Sequence, residues 1–261
     1  MNILLTNDDG VGSEGILKLA DVLRSRKHRV YVIAPDSNRS GISHAISILH
    51  NPVKLFQLGE DTWSCTGTPA DCVIAATLGA LPEKPRLVLS GINRGANLGT
   101  DILYSGTAAA ARQAGLVGIP AVALSLTGNY LDSSAVFQWD MAASWAADHL
   151  EELAALWRPG TFVNVNIPNV PGGPGGMLMA WPAVKHYHDQ LTVMAAPDNS
   201  RWCFLKGGNE TAVTEAGSDC DVVSRNFVSV SSVVNLPAVL KELCPHAPDY
   251  AAVAGRGGKK E

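Results

Sequence analysis

The 261-residue chain lacks an excess of charge of either sign: 20 Lys and Arg face 24 Asp and Glu, for a net charge of −4 with histidine neutral. Proteins that grip a nucleic-acid backbone or an anionic membrane concentrate positive charge, so the sequence carries no footprint for either partner. A phosphorylated small molecule is not excluded, because backbone amides and a metal ion bind phosphate without a basic surface. Cysteine is sparse. Cys65, Cys72, Cys203, Cys220 and Cys244 are odd in number, scattered and without a CxxC pair. That argues against a disulfide framework or a zinc signature and predicts reduced thiols in a cytoplasmic protein. No apolar run approaches the roughly 18 residues of a membrane helix, and the N-terminus enters a strand and then carboxylates, unlike a secretory signal. Charged residues make up only 17% of the chain against 46% hydrophobic, a balance that builds a core and argues against disorder.

What is there begins at the N-terminus. Ile3-Leu4-Leu5 suits a strand buried on both faces. It runs straight into Asn7, Asp8, Asp9 and Gly10, and two adjacent carboxylates at the exit of a buried strand repel one another unless something positive neutralises them. Two readings fit this stretch alone. A hard divalent cation takes both carboxylates as oxygen ligands, or the Asp side chains cap the following helix.

The chain that follows predicts a βαβ start. Ser13 is a candidate N-cap, Ile16, Leu19, Ala20 and Leu23 fall at helical spacing through Arg26, and Val30, Val32 and Ile33 form a second strand joined by a right-handed crossover. In a parallel sheet the polar loop after it, Pro35 to Gly41, emerges at the same carboxyl edge as Asp8 and Asp9, where ligands bind in such folds. Residues 44–66 suggest short strands at Ile46, Ile48, Val53, Leu55 and Phe56. Thr68-Pro69 predicts a capped helix start, with Ile74, Leu78 and Leu81 on one apolar face, and Val73, Ala76 and Ala80 on a second, smaller one. Cys72 reads as core packing.

Leu87-Val88-Leu89 is the next buried strand, and Ser90 to Thr107 reads as an 18-residue loop of Gly, Asn and hydroxyl residues. Loops that long inside a compact domain are usually functional or disordered. This one opens into Ala108 to Arg112, so Ser105-Gly106-Thr107 sits at a helix N-terminus that favours phosphate. A strand at Ile119 to Ser125, a long helix from about Ser133 to Trp157 and a strand at Phe162 to Ile167 follow. Trp139, Trp145 and Trp157 read as packing residues. Pro168 to Gly176 is the clearest boundary. Beyond it, strands with polar tips include His186-Tyr187-His188-Asp189, read as an exposed hairpin surface more readily than as a metal site. Gly207 to Asn209 reads as a turn, Phe227 to Val230 as a strand, Leu236 to Leu243 as a closing helix, and the tail as disordered.

Three loops at one sheet edge therefore carry Asp8-Asp9, Ser37 to Gly41 and Ser90 to Asn93. Two carboxylates with a hydroxyl and an amide oxygen make an oxygen-lined site for a divalent metal, which polarises a phosphoryl oxygen and acidifies its water. Arg39 and the amides before Ala108 balance phosphate charge. A receiver-like regulatory domain needs an Asp where this central strand ends in Ser90-Gly91-Ile92-Asn93. A phosphatase with an Asp nucleophile needs Asp-x-Asp spacing, and here the two are adjacent.

With these pieces assembled, the sequence resembles the SurE family of survival-protein nucleotidases. The matching motifs are Ile3 to Gly10, Ala34-Pro35, Asn38-Arg39-Ser40-Gly41, Gly67 to Val73, Ser90 to Asn93, Asn97 to Thr100, Tyr104 to Thr107 and Gly118 to Pro120. Gly217-Ser218-Asp219 and Phe227 to Val230 are similar to a weaker signature near the C-terminus. The resemblance implies a metal-dependent phosphomonoesterase releasing phosphate from nucleoside 5′- and 3′-monophosphates by attack of metal-activated water. Alternatives are an exopolyphosphatase on short polyphosphate or a non-catalytic nucleotide-binding regulator. By motif position, the metal ligands are Asp8, Asp9, Ser40 and Asn93, holding one Mg²⁺ or Mn²⁺, or Ca²⁺ in a crystal. Asn38, Gly41, Ser105, Gly106 and Thr107 contact the phosphate, with Arg39 added from the charge argument above.

The fold implied is α/β: a Rossmann-like three-layer core with a mainly parallel sheet over residues 1–167. A smaller β-rich C-terminal extension follows over 168–246, making homodimer or homotetramer contacts, and then a disordered tail over 247–261. The chain departs from the family pattern at His44, Gln113, Trp181 to Tyr187 and Ser231-Ser232-Val233. None of these is a proposed ligand.

Overall fold

The computed structural model describes residues 1–129, 134–207, 210–212 and 214–237. Its elements in chain order are β1 (Asn2–Thr6), α1 (Glu14–Ser25), β2 (Arg29–Pro35), β3 (Leu55–Gly59), β4 (Thr62–Cys65), α2 (Pro69–Ala75), β5 (Leu87–Arg94), α3 (Gly106–Leu116), β6 (Ala121–Leu126), α4 (Trp139–Asp148), α5 (Leu150–Leu156), β7 (Thr161–Ile167), β8 (Met177–Met179), β9 (Lys185–Tyr187), β10 (Gln190–Ala195), β11 (Arg201–Lys206), β12 (Glu210–Ala212), α6 (Asp219–Ser224) and β13 (Val228–Val234). Nine strands form one sheet in the order β3-β4-β2-β1-β5-β6-β7-β13-β8. From β4 to β7 the neighbours run parallel, while β3 and β13 pair antiparallel with β4 and β7. This is the α/β, Rossmann-like architecture expected, with two further small antiparallel sheets, β10-β11 and β12-β9, in the C-terminal part.

The apolar run of β1 is uninterrupted because the strand has helices on both sides. Ile3 and Leu5 pack into the layer under α1, α4 and α5, while Leu4 packs into the layer under α2 and α3. All three are fully buried, and each contributes about 1.5–3 kcal/mol of burial energy. α3 faces the sheet with Ala108, Ala110, Ala111 and Ala114. Small residues there let the helix lie close to β5, β6 and β7. No described helix is long and apolar enough to cross a membrane.

Several elements differ from the sequence expectation. Ser90 to Asn93 is strand, not loop: β5 runs on to Arg94, with its β6 register shifting between Ser90 and Asn93. The rest of the predicted loop contains a 3₁₀ turn at Gly99–Leu103. Ile46 and Ile48 form no strand, because the Asp71 carboxylate takes the amides of Ser47 and Ile48, each at 3.1 Å. Thr68 caps α2 as expected, in a capping box with Asp71. The buried face of that helix, however, is Cys72, Val73 and Ala76, while Leu78 is 81% exposed and Ala80 is also exposed. A π turn at Ala76–Ala80 breaks the 3.6-residue spacing that would have carried Leu78 to the core.

The helix expected from Ser133 starts instead at Trp139. Asn169 holds the chain before it, accepting from Gln138 N and donating to Val136 O. It also divides at His149, whose ring stacks on Trp145 and bonds the Trp145 carbonyl. α6, capped by Ser218, is an element that periodicity did not reveal. The expected turn at Gly207 to Asn209 and closing helix to Leu243 lie largely outside the described residues, and the tail wholly so.

Candidate active site

The end of β1 is folded by Asn7. Its side-chain amide donates to Gly10 O at 2.8 Å and to Ser13 Oγ at 2.7 Å, and its oxygen accepts from Gly10 N at 3.2 Å. Gly10 takes the left-handed φ of +103° that closes this turn. Ser13 occupies the N-cap position of α1 as predicted, but its hydroxyl serves Asn7 and makes no capping bond to the helix. The turn leaves Asp8 and Asp9 at the carboxyl edge of the sheet, and three other segments converge on them.

Asp8 is 3% exposed. Thr107 Oγ1 donates to its Oδ1 at 2.5 Å, and a Cβ on Gly106 would fall 2.8 Å from Asp8 Cβ and 2.9 Å from Oδ2. Only glycine lets the first turn of α3 rest on this carboxylate. Asp9 Oδ2 accepts from Arg94 N at 2.9 Å, which fastens the end of β5 to the pair. Asn93, the residue before Arg94, donates its amide NH₂ to Gly95 O at 3.0 Å, which leaves its amide oxygen as an acceptor. From the β2 loop, Arg39 N donates to Asp8 O at 2.7 Å, and Asn38 Oδ1 accepts from Ser40 N at 2.7 Å. Asn38, Ser40 and Gly41 are exposed. The Arg39 guanidinium reaches outward to Asp36 Oδ1 at 2.9 Å. Ser105 caps α3 by accepting from Ala108 N at 3.0 Å.

The electrostatics are those of an unneutralised pair. Burial pushes the Asp8 carboxyl above its ordinary range, against the hydrogen bonds from Thr107. Burial, and then the charge of Asp8, push Asp9 up to about 6, while the Arg94 amide pulls the other way. None of the ion pairs among the described residues involves Asp8 or Asp9. No group of three or more His, Cys, Asp or Glu in the described residues could hold a metal. Any metal here therefore relies on two carboxylates completed by neutral oxygens. Such a set suits a hard divalent cation, whose remaining positions go to water and substrate. The residues fit that group: they gather oxygen donors and leave negative charge without a partner.

Every predicted site residue thus comes from one of four segments joined at this edge. His186 and His188 do not join them. His186 lies on β9 where it pairs with β12, His188 follows just after it, and both are exposed. Two aspartates that lie inside the matched motifs without an assigned role secure the surroundings. Asp71 accepts from Thr68 N at 2.9 Å and from the Ser47 hydroxyl and amide. Asp219 accepts from Gly99 N at 2.7 Å and Ala183 N at 2.9 Å, tying α6 to the 3₁₀ turn. The available signals were their motifs, Gly67 to Val73 and Gly217-Ser218-Asp219. His44 and Gln113, two separate departures from the family pattern, bond each other at 3.0 Å.

Comparison with known proteins bears on the family and the fold. The family model for survival protein SurE covers residues 3–189. A protein named 5′-nucleotidase SurE from Prochlorococcus marinus (strain MIT 9211) is 38% identical over 252 residues, 89% of this chain and 90% of its own. The protein of that name from Geobacter sulfurreducens is 39% identical over 234 residues, 88% and 87% of the two chains. The crystal structure of the SurE protein from Aquifex aeolicus superposes with a TM-score of 0.79 at 32% identity, covering 94% of this chain and 98% of that one. On family match, sequence identity and fold together, this chain belongs to the SurE family.

Proposed function

We propose that this chain is a metal-dependent 5′-nucleotidase that hydrolyses nucleoside monophosphates to nucleoside and phosphate at the Asp8–Asp9 edge. The observation that carries the reading is the adjacent carboxylate pair, Asp8 buried and Asp9 half-buried, with no ion pair to either among the described residues. Family membership and relatives named as 5′-nucleotidases support the same activity. Asp8, Asp9, Ser40 and Asn93 would hold the ion. When bound, a divalent cation supplies Lewis-acid polarisation of a phosphoryl oxygen and a water that ionises near neutral pH.

The protein's own part is positioning. Thr107 and Gly106 hold Asp8 in one orientation, and the Arg94 amide does the same for Asp9. The free amides at the start of α3, with Asn38 and Gly41 across the site, receive the phosphate, where the helix dipole favours negative charge. Arg39 acts first through its backbone, because its guanidinium must leave Asp36 to reach a phosphate. Asp8 is a ligand and not a nucleophile on this reading. Its carboxylate is buried beneath Gly106 and engaged by Thr107. Action on 3′-monophosphates belongs to the same proposal, since a site that grips the phosphate accepts either ester.

The extension, residues 168–246, is assigned to homo-oligomer contacts. All residues of β10 and β11 are exposed, and an isolated two-stranded hairpin is marginal in water without a partner surface. The described cysteines are free thiols, which supports a reducing cytoplasmic setting.

The test is phosphate release from nucleoside monophosphates with Mg²⁺ or Mn²⁺, with chelator, and with Asp9→Asn. Turnover should require added metal and should be lost in the variant. Activity that survives both chelation and the substitution overturns the proposal.

A further inference from the structure

Next to the carboxylate site lies an aromatic corner that none of this chemistry uses. Tyr104 directly precedes Ser105, the cap of α3, yet it is 55% exposed while Ser105 is buried. A lone exposed tyrosine needs no explanation. This one has a built neighbour. Tyr187, from β9 in the extension, sets its ring edge to face with Tyr104, with centroids 6.0 Å apart and planes at 80°.

The Tyr187 ring and the Tyr104 backbone are both fixed. Tyr187 donates its hydroxyl to Asp101 Oδ1 at 2.5 Å, and the other oxygen of that carboxylate accepts from Lys185 Nζ at 2.7 Å. Lys185 is itself buried and also pairs with Glu210 at 2.8 Å. The Tyr104 backbone is pinned on both sides, its N–H to Asp101 O and its carbonyl to Ser43 N, each at 2.9 Å. In an edge-to-face pair, whichever ring supplies the edge, Tyr104 keeps one broad face clear of Tyr187. Among the described residues no ring stacks on that face.

We propose that Tyr104, backed by Tyr187, is the nucleobase-stacking subsite of this enzyme and the element that favours nucleotides over other phosphomonoesters. The inference rests on the nucleotidase reading. A phosphate seated on the amides of Ser105-Gly106-Thr107 is bound by the residues that directly follow Tyr104, and on this proposal the attached nucleoside lies against the open face. Aromatic side chains bind bases through stacking that is tolerant of base identity. The Tyr187 hydroxyl is spent on Asp101, so this corner offers area and not a hydrogen-bond code. Purines gain more than pyrimidines, and adenine and guanine are treated alike.

The experiment compares kcat/KM for adenosine 5′-monophosphate and ribose 5-phosphate in the metal-loaded wild type, Tyr104→Ala, Tyr104→Leu and Tyr104→Phe. The ratio of the two values should fall about tenfold in the Ala and Leu variants, mainly through KM for the nucleotide, and return in the Phe variant. Leu keeps apolar bulk without a π face, so a folded Leu variant with the wild-type ratio overturns the proposal. So does a loss shared equally by both substrates. A wild type that turns over ribose 5-phosphate and no nucleotide sinks the underlying reading, a result separate from failure of the subsite.

Discussion

Gly106→Ala separates the site's chemistry from the fold's stability more cleanly than removal of a ligand. In isolation the change is favourable, because alanine is a better helix former than glycine by up to about 1 kcal/mol. Gly106 has no left-handed backbone to defend, but its missing side chain leaves room for Asp8. An alanine Cβ would lie 2.8 Å from Asp8 Cβ and 2.9 Å from Asp8 Oδ2, closer than real Cβ contacts come. Asp8 Cβ sits on the strand end and cannot rotate away. Either the first turn of α3 lifts or the carboxylate swings off Thr107, and a shift of several tenths of an ångström is needed. A misplacement of about 1 Å costs roughly 100-fold in rate, so a shift of several tenths costs about tenfold. Gly106→Ala should therefore keep its denaturation midpoint near the wild type, while Mn²⁺ affinity by calorimetry and phosphate release fall about tenfold together. Wild-type metal affinity and turnover in a folded Gly106→Ala protein would refute the claim that Asp8 is held against this helix start.

Three further outcomes are expected. The raised Asp9 carboxyl, at about 6 against an ordinary 3.8, makes its ionised form a cost to the metal-free fold. That cost appears as pH rises from about 4 through 6, so at pH 7.5 metal-free Asp9→Asn should be more stable than wild type by up to about 3 kcal/mol. Saturating metal should reverse the order, and equal denaturation curves at pH 5 and 7.5 without metal would contradict it. Asp71→Asn should cost at least about 3 kcal/mol, because one buried carboxylate serves Ser47, Ile48 and Thr68 through charge-assisted bonds; hydrogen exchange should quicken first over residues 44–50. Leu78→Ser should change stability by less than about 0.5 kcal/mol, whereas Val73→Ala on the buried face should cost about 2 kcal/mol or more, read from urea midpoints.

The sequence by itself determined the parts written in short-range patterns. The β1 run, the amphipathic α1, the Thr68-Pro69 cap and the Pro/Gly break before β8 each depend on neighbours within a few residues. The motif set identified the family, and through it an oxygen-donor metal site. Tertiary structure decided what depends on distant partners. Whether Ser90 to Asn93 is loop or strand is set by β6, whose pairing continues past the point where the β5 side chains turn polar. Which face of α2 is buried is set by a π turn that periodicity cannot register. That Thr107 grips Asp8 across a separation of 99 residues, or that Tyr187 from the extension stands beside Tyr104, follows from chain crossings no local pattern encodes. The residue types announce the chemistry, and only the folded sheet edge brings the two carboxylates, the β5 amide and the glycine of α3 to the same place.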